Sequence, residues 1–278
     1  MANPRSRTDS RRNPKGASLP IVSGGNQTAA VGAMDLLSLL PLLVVVVAVV
    51  ANFQTQEIWA AALVAISALW AVDLGSTFTA RGRAFAPLAV ITSAAAGAIA
   101  AHTLGAWGYG LSVALAVAIC LGWAVAFSEY REIETFSPTL LAGLLAALAV
   151  ASLVLARSGA GPDENAVTIF LVSVTAGVLA GSIVSRMPAI PFLDAFSTTA
   201  IVAVIGAVVG AAIWDADMIG YLLVGLGVAV ALIAGNGLST MLRTGQVRLT
   251  ERAPGLVPSL DGVFLAAAIY YPLVRVIL

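Results

Sequence analysis

An all-α, multi-pass membrane bundle of about nine spans is the fold class this sequence predicts, and three observations predict it. Apolar residues make up 60% of the chain and charged residues only 10%, whereas a soluble domain carries about 25% charged residues; mean hydropathy is +0.98. After a polar start, the apolar residues fall into runs close to the ~20 residues that cross ~30 Å of hydrocarbon as a helix. Those runs lack the strict alternation of barrel strands. Helices, which satisfy their own backbone groups in lipid, are therefore the structure left to them.

Residues 1–33 carry Arg5, Arg7, Arg11, Arg12 and Lys15 among Pro, Gly and Ser. They cannot bury enough apolar surface to fold alone and read as a disordered basic tail. The next run, 34–53, is too long for the core of a cleaved signal and lacks a small-x-small cleavage site, so it reads as an anchor that stays. With it, the expected spans are 34–53, 58–74, 84–102, 104–128, 136–157, 165–186, 197–214, 218–238 and 260–278. The domain division is thus tail 1–33 and helical domain 34–278. Pro188 and Pro191 end the sixth span within the 187–196 connector.

The positive charges orient these spans. With the N-terminal tail in the cytoplasm and strict alternation, twelve of the fourteen Lys and Arg fall on the cytoplasmic side, and only Arg157 and Arg275 fall outside. The positive-inside bias therefore predicts an N-in, C-out protein of a bacterial-type cytoplasmic membrane. Trp59, Trp107, Trp214 and Tyr221 fall near the outer ends, where an aromatic belt is expected. Gly206 and Gly210 form a small-xxx-small pair that suits close helix packing within the chain, with a homodimer face as the alternative.

Several function classes are excluded or left without support. Net charge is +0, so no bulk basic surface points to nucleic acid. One cysteine, Cys120, and one histidine, His102, make neither an intrachain disulfide nor a Cys/His metal cluster. Phosphate-binding P-loop, serine-hydrolase elbow and zinc-protease motifs are all missing.

The longest polar interruption after the tail is Gly235-Asn236-Gly237-Leu238-Ser239-Thr240-Met241-Leu242-Arg243, followed by the segment to Asp261. It contains Arg243, Arg248, Arg252, Glu251, Pro254 and Pro258. A polar loop between two spans can hold a water-soluble reactant against a lipid; its arginines can also serve only to fix topology. In the alternating topology Asp35, Asp73 and Asp261 sit at cytoplasmic span ends, and Asp194 sits in the 187–196 connector. Helix capping or an interfacial charge is the simplest role for Asp35 and Asp73. Together with Glu251, Asn236, Ser239, Arg186 and Arg243, these acids could converge on one face, where carboxylates can hold Mg²⁺ and guanidinium groups can clamp phosphate.

From about residue 136 to the end, the order of features resembles the phosphatidate cytidylyltransferase (CDP-diacylglycerol synthase) family. That family's C-terminal signature runs roughly Gly-Asp-Leu-x-Glu-Ser-x-x-Lys-Arg, four residues, Lys-Asp, then Pro-Gly-His-Gly-Gly-x-Leu-Asp-Arg-x-Asp and an apolar span. Here stand Gly235-Asn236-Gly237-Leu238-Ser239-Thr240-Met241-Leu242-Arg243, four residues, Arg248, then Pro254-Gly255-Leu256-Val257-Pro258-Ser259-Leu260-Asp261 and the apolar closing run. Upstream, Thr175 to Arg186 is similar to the family's Ala-Ser-Asp-x-x-Ala-Tyr-x-x-Gly-Arg segment, with Val178 where the family has aspartate. Asn236 replaces the aspartate of the Gly-Asp pair, and Asp261 aligns with either aspartate of the closing motif.

The resemblance implies joining of CTP and phosphatidate to give CDP-diacylglycerol and pyrophosphate with Mg²⁺. Asp261, Asn236 and Glu251 would be the catalytic set, with Asp261 on the metal, and Arg186, Arg243, Arg248 and Ser239 would sit on phosphate or lipid. Because nucleotidyl transfer needs several carboxylates on metal and several cations on phosphate, two alternatives stand beside it. One is a member without catalysis that binds an anionic lipid or a partner subunit. The other is a small transporter or channel component, against which the scarcity of deep intramembrane charge counts.

Overall fold

The computed structural model describes residues 40–158, 165–184, 194–244 and 259–278. Among these every regular element is helical: α1 (Leu40–Asn52), α2 (Gln56–Thr79), α3 (Pro87–Leu104), α4 (Ala106–Ala126), a 3₁₀ turn (Ser128–Tyr130), α5 (Ile133–Arg157), α6 (Ala166–Val184), α7 (Ala195–Ile213), α8 (Met218–Thr244) and α9 (Ser259–Ile277). Helices α2 to α9 are each long and apolar enough to cross a membrane, eight in all. Of the expected first span, 34–53, the part from Leu40 onward is described, and it forms the short apolar helix α1. The expected tail, 1–33, lies outside the described residues.

Local chemistry sets the helix ends. Thr55 begins α2 with its side chain accepting from the Ile58 amide, and Asp194 begins α7 by accepting from Phe196 N at 2.8 Å and Ser197 N at 2.9 Å. Both satisfy amides that the first helical turn leaves without partners. Pro87 stands in the first turn of α3, where its missing N–H costs nothing. The expected break between the third and fourth spans is a single residue: Gly105 has φ 56° and ψ −136°, a conformation that side chains with a Cβ rarely adopt.

Helix α5 forms the centre of the bundle, with most of its length buried. It packs against α2, α3, α4, α6 and α9, while α9 also lies along α8 and α6. Helices α6, α7 and α8 follow one another in contact. Gly206 and Gly210 face α6: a Cβ on Gly206 would lie 3.0 Å from the Ser173 Cα. The small-xxx-small pair therefore serves packing within the chain.

The two ends of the bundle are fastened differently. At one end Arg157 donates to the carbonyls of Ala51 and Thr55, both at 3.3 Å, and to that of Gln54; beside it Asn52 donates to Thr168 Oγ1 at 3.0 Å. The Arg157 guanidinium lies 5.8 Å from the centre of the Trp59 ring. At the other end gather the C-termini of α2 and α8 and the N-termini of α3, α5, α7 and α9. There Arg83 and Glu134 approach to 3.5 Å as an exposed pair, which contributes little. Of the aromatic residues expected at the outer ends, Trp107 is 88% exposed, whereas Trp59 and Tyr221 are buried. They are packed between helices because a ring of that size fills the gap left by the many small residues.

Candidate functional site

The expected eighth span, 218–238, stops short of the helix: α8 runs on to Thr244. The polar residues that suggested a loop fall on one helical face. Ser239, Thr240 and Arg243 are all buried, and that face lies against α9 and α2 rather than water. Two glycines allow the approach. A Cβ on Gly235 would lie 2.4 Å from the Gly262 Cα, so the α8 and α9 backbones touch where neither residue carries a side chain.

One turn beyond this contact lies a closed polar cluster. Arg243 Nε is 2.7 Å from Asp261 Oδ2, and its Nη2 is 3.1 Å from Asp261 Oδ1. This is the two-pronged pairing that suits a planar guanidinium and a carboxylate. Its Nη1 reaches Asp73 Oδ2 on α2 at 2.8 Å. The Trp70 indole N–H also donates to Asp261 Oδ1, and the Ser239 hydroxyl donates to Oδ2. The Trp70 ring stacks on Phe264 of α9 at 4.3 Å between centroids. Arg243 is 0% exposed, and Asp73 and Asp261 are each 2% exposed.

Charges so buried persist only when paired and hydrogen-bonded. The cluster therefore ties α2, α8 and α9 into one unit. Asp73 caps no helix end: it lies inside α2 as a partner of Arg243. Sequence reasoning singled out Arg243, Asp261 and Ser239 but missed the pairing role of Asp73 and the donor Trp70. The available signal was Asp73 itself, a carboxylate near the end of an apolar run that needs a cation within reach.

The candidate residues divide accordingly. Asp261, Arg243 and Ser239 meet. Asn236 sits on α8, half-buried, one turn before Ser239. Asp194 is held at the α7 N-terminus by Ser197 and Phe196 and is exposed. Its carboxyl is pushed below its usual range, first by the Ser197 hydroxyl and then by the backbone amides. Glu251, Arg248 and Arg186, like Asp35, lie outside the described residues.

The arrangement at Asp261 does not fit a hard divalent cation. Each of its oxygens already accepts two hydrogen bonds, and Mg²⁺ binding sites need carboxylate oxygens turned toward the ion. No group of three or more His, Cys, Asp or Glu side chains able to hold a metal occurs among the described residues.

Beside the cluster an apolar slot enters the bundle. It is bounded by α1, α2, α5, α6 and α9. Ser259 and Leu260 line it at the cluster end, while Trp59, Leu153 and Phe170 line it at the other. Val178, at the position where the resemblance expects an aspartate, is part of its wall.

No family model, no curated protein and no solved structure matches this chain.

Proposed function

We propose that this chain is a membrane protein of the cytidylyltransferase type that binds an anionic lipid, with phosphatidate as the reference ligand, and does not transfer a nucleotide. One observation carries the reading. An apolar slot with Val178 in its wall ends beside a cluster whose carboxylates are closed by Arg243. The apolar walls of the slot suit an acyl chain, and its Ser259 end adjoins the polar cluster. Of the three positions where the resemblance expects carboxylates, Val178 is apolar, Asn236 carries a neutral amide and Asp261 is engaged by a guanidinium, which is the pattern of a binding protein.

On this reading the phosphate contact is assigned to Arg186 and Arg248, which follow α6 and α8 in the chain. Each contributes about 1 kcal/mol near an anionic surface, and more if it pairs in two-pronged fashion. Arg243 acts as a positioning residue that holds α8 against α9. The same arginines orient the protein N-in and C-out in a bacterial-type cytoplasmic membrane.

Native mass spectrometry of the purified protein with phosphatidate and phosphatidylcholine tests the reading. Selective retention of phosphatidate, lost in the Arg186→Ala, Arg248→Ala double variant, is expected. Equal retention of the two lipids overturns lipid selectivity. Robust CDP-diacylglycerol formation from CTP that disappears in Asp261→Ala overturns the non-catalytic reading.

A further inference from the structure

We infer that α1 is a side gate of the apolar slot, hinged at its C-terminal end, which opens the slot to the surrounding bilayer. Val44, Val45 and Ala48 of α1 line the slot from within. On the other face of the same helix Leu43, Val46, Val47, Val49 and Val50 are exposed. A single helix therefore separates the slot from lipid on this side. It stands between α2 and α6 and packs on both, whereas those two make little contact with each other among the described residues. Moved aside, α1 leaves a gap between them. The gate stands or falls without regard to which molecule fills the slot.

The grip of α1 on the bundle is thin along the helix and firm only at its end. Its buried side chains, among those described, are Val44, Ala48 and Ala51, one for each turn. In lipid this contact has no hydrophobic drive, because lipid tails are as apolar as the valines they would meet; packing alone holds it. Among the described residues, every polar tie from α1 and the turn after it lies at the C-terminal end. Asn52 donates to Thr168 Oγ1 at 3.0 Å, and Arg157 donates to the carbonyls of Ala51, Gln54 and Thr55. The other walls are fastened to one another. Trp59 and Trp70 tie α2 to Leu153 of α5 and to Asp261 of α9. On α9, the Tyr271 amide donates to Ser152 Oγ of α5 at 2.8 Å, and the Tyr270 hydroxyl donates to the Ala166 carbonyl of α6.

A rod held at one end moves most at the other. Leu43 stands about 15 Å along the helix axis from Phe53, and Val47 about 9 Å. A change of tilt by about 20°, within the ordinary spread of membrane helices, carries Leu43 sideways by about 5 Å and Val47 by about 3 Å. Phe53, between the residues that Arg157 holds, stays in place. Opening exchanges one apolar contact for another, so the displaced position is a minor state held by about a tenth of the molecules.

Double electron–electron resonance on the full-length protein in lipid nanodiscs tests the gate. Spin labels are placed by Leu43→Cys, Val47→Cys or Phe53→Cys, each paired with Ile99→Cys on α3 or Ile205→Cys on α7; all five positions are exposed. The background is Cys120→Ala, or the native chain should that variant fail to fold, since Cys120 is buried and labels little. Residue 43 is expected to show two distances to at least one reference, differing by up to about 5 Å, with the minor one at about a tenth of the molecules. Residue 47 should show a smaller split, and residue 53 a single narrow distance. Val44→Ala, which trims the buried valine of α1, is expected to raise the minor population severalfold. One narrow distance from residue 43 to both references, in the parent and in Val44→Ala alike, overturns the gate. Spread confined to residue 43, with residue 47 as narrow as residue 53, is fraying of the helix end and overturns it as well. Equal spread at all three positions overturns the hinge.

Discussion

Arg243, in the last turn of α8, holds Asp73 of α2 at 2.8 Å where neither side chain reaches solvent. The same guanidinium closes on Asp261 of α9 at 2.7 Å. One guanidinium thus pairs with carboxylates on two other helices, and its loss leaves two buried carboxylates without that cation. Arg243→Ala is expected to destabilise the protein by about 3–5 kcal/mol, read as a lower unfolding midpoint in detergent. Arg243→Lys should recover little, since an ammonium cannot reproduce the fork. Near-wild-type stability in the alanine variant would show that the cluster does not join the three helices.

Trp70 supplies both a ring and a donor. Trp70→Phe keeps the stacking on Phe264 but leaves Asp261 Oδ1 short of one hydrogen bond. The expected cost is about 1–3 kcal/mol. A double-mutant cycle with Asp261→Asn should show coupling between the two positions; strictly additive effects would break the proposed link.

The contact between Gly235 and Gly262 leaves no room for a methyl group. Gly235→Ala must push α8 away from α9, since the nearest atom is backbone, and a cost of about 1–3 kcal/mol follows. Gly110→Ala is the control. Nothing lies within 4 Å of its Cβ position, so a helical alanine there should be neutral or slightly stabilising. Equal thermal shifts in the two variants would contradict this difference.

Asp194 provides a pH signature. Its hydrogen bonds, first from the Ser197 hydroxyl, hold the carboxyl below the ordinary 3.8. A depressed folded-state value means that the stabilisation is fully present above the ordinary value and is lost as pH falls through the lower one. Because the carboxylate lies in solvent, screening keeps the effect small. Asp194→Asn retains a good cap without titrating. The stability of the wild type relative to Asp194→Asn should therefore decline only on acidification below about pH 4. A relative decline beginning near neutrality would point to another group.

Reporter fusions at residue 250 and at the C-terminus are expected to report opposite sides, with residue 250 and the N-terminal tail together in the cytoplasm. Matching sides for residue 250 and Leu278 would require one span fewer between them.

The spans were legible because lipid imposes a single requirement, a long apolar helix, that hydropathy reads directly. Boundaries were less so. Asn236, Ser239 and Arg243 read as loop because they are polar, yet their spacing puts them on a helical face whose partners, Asp261 and Asp73, come from distant parts of the chain. Arg243 and Asp261 were singled out as chemistry-bearing residues, but their mutual pairing was not. Pairing depends on how α2, α8 and α9 assemble, which no local pattern encodes. Trp59 looked like an interfacial anchor from its position near a span end; only the packing of α2 against α5 reveals it as a wall. The slot itself has no linear signature, since its lining is ordinary apolar sequence from five helices.

The one-residue turn at Gly105 decides more than a local bend. Were residues 87–126 to continue as one helix, it would extend about 60 Å, twice the hydrocarbon thickness, with no way to lie across a bilayer. The hairpin avoids this without presenting a hydrophilic stretch for transport across the membrane, so α3 and α4 can enter together as a preassembled pair. It also acts as a parity element. Every helix after Gly105 takes its direction from that reversal, and the side on which Arg243 and Asp261 come to rest is inherited from a single pair of backbone angles far from either residue.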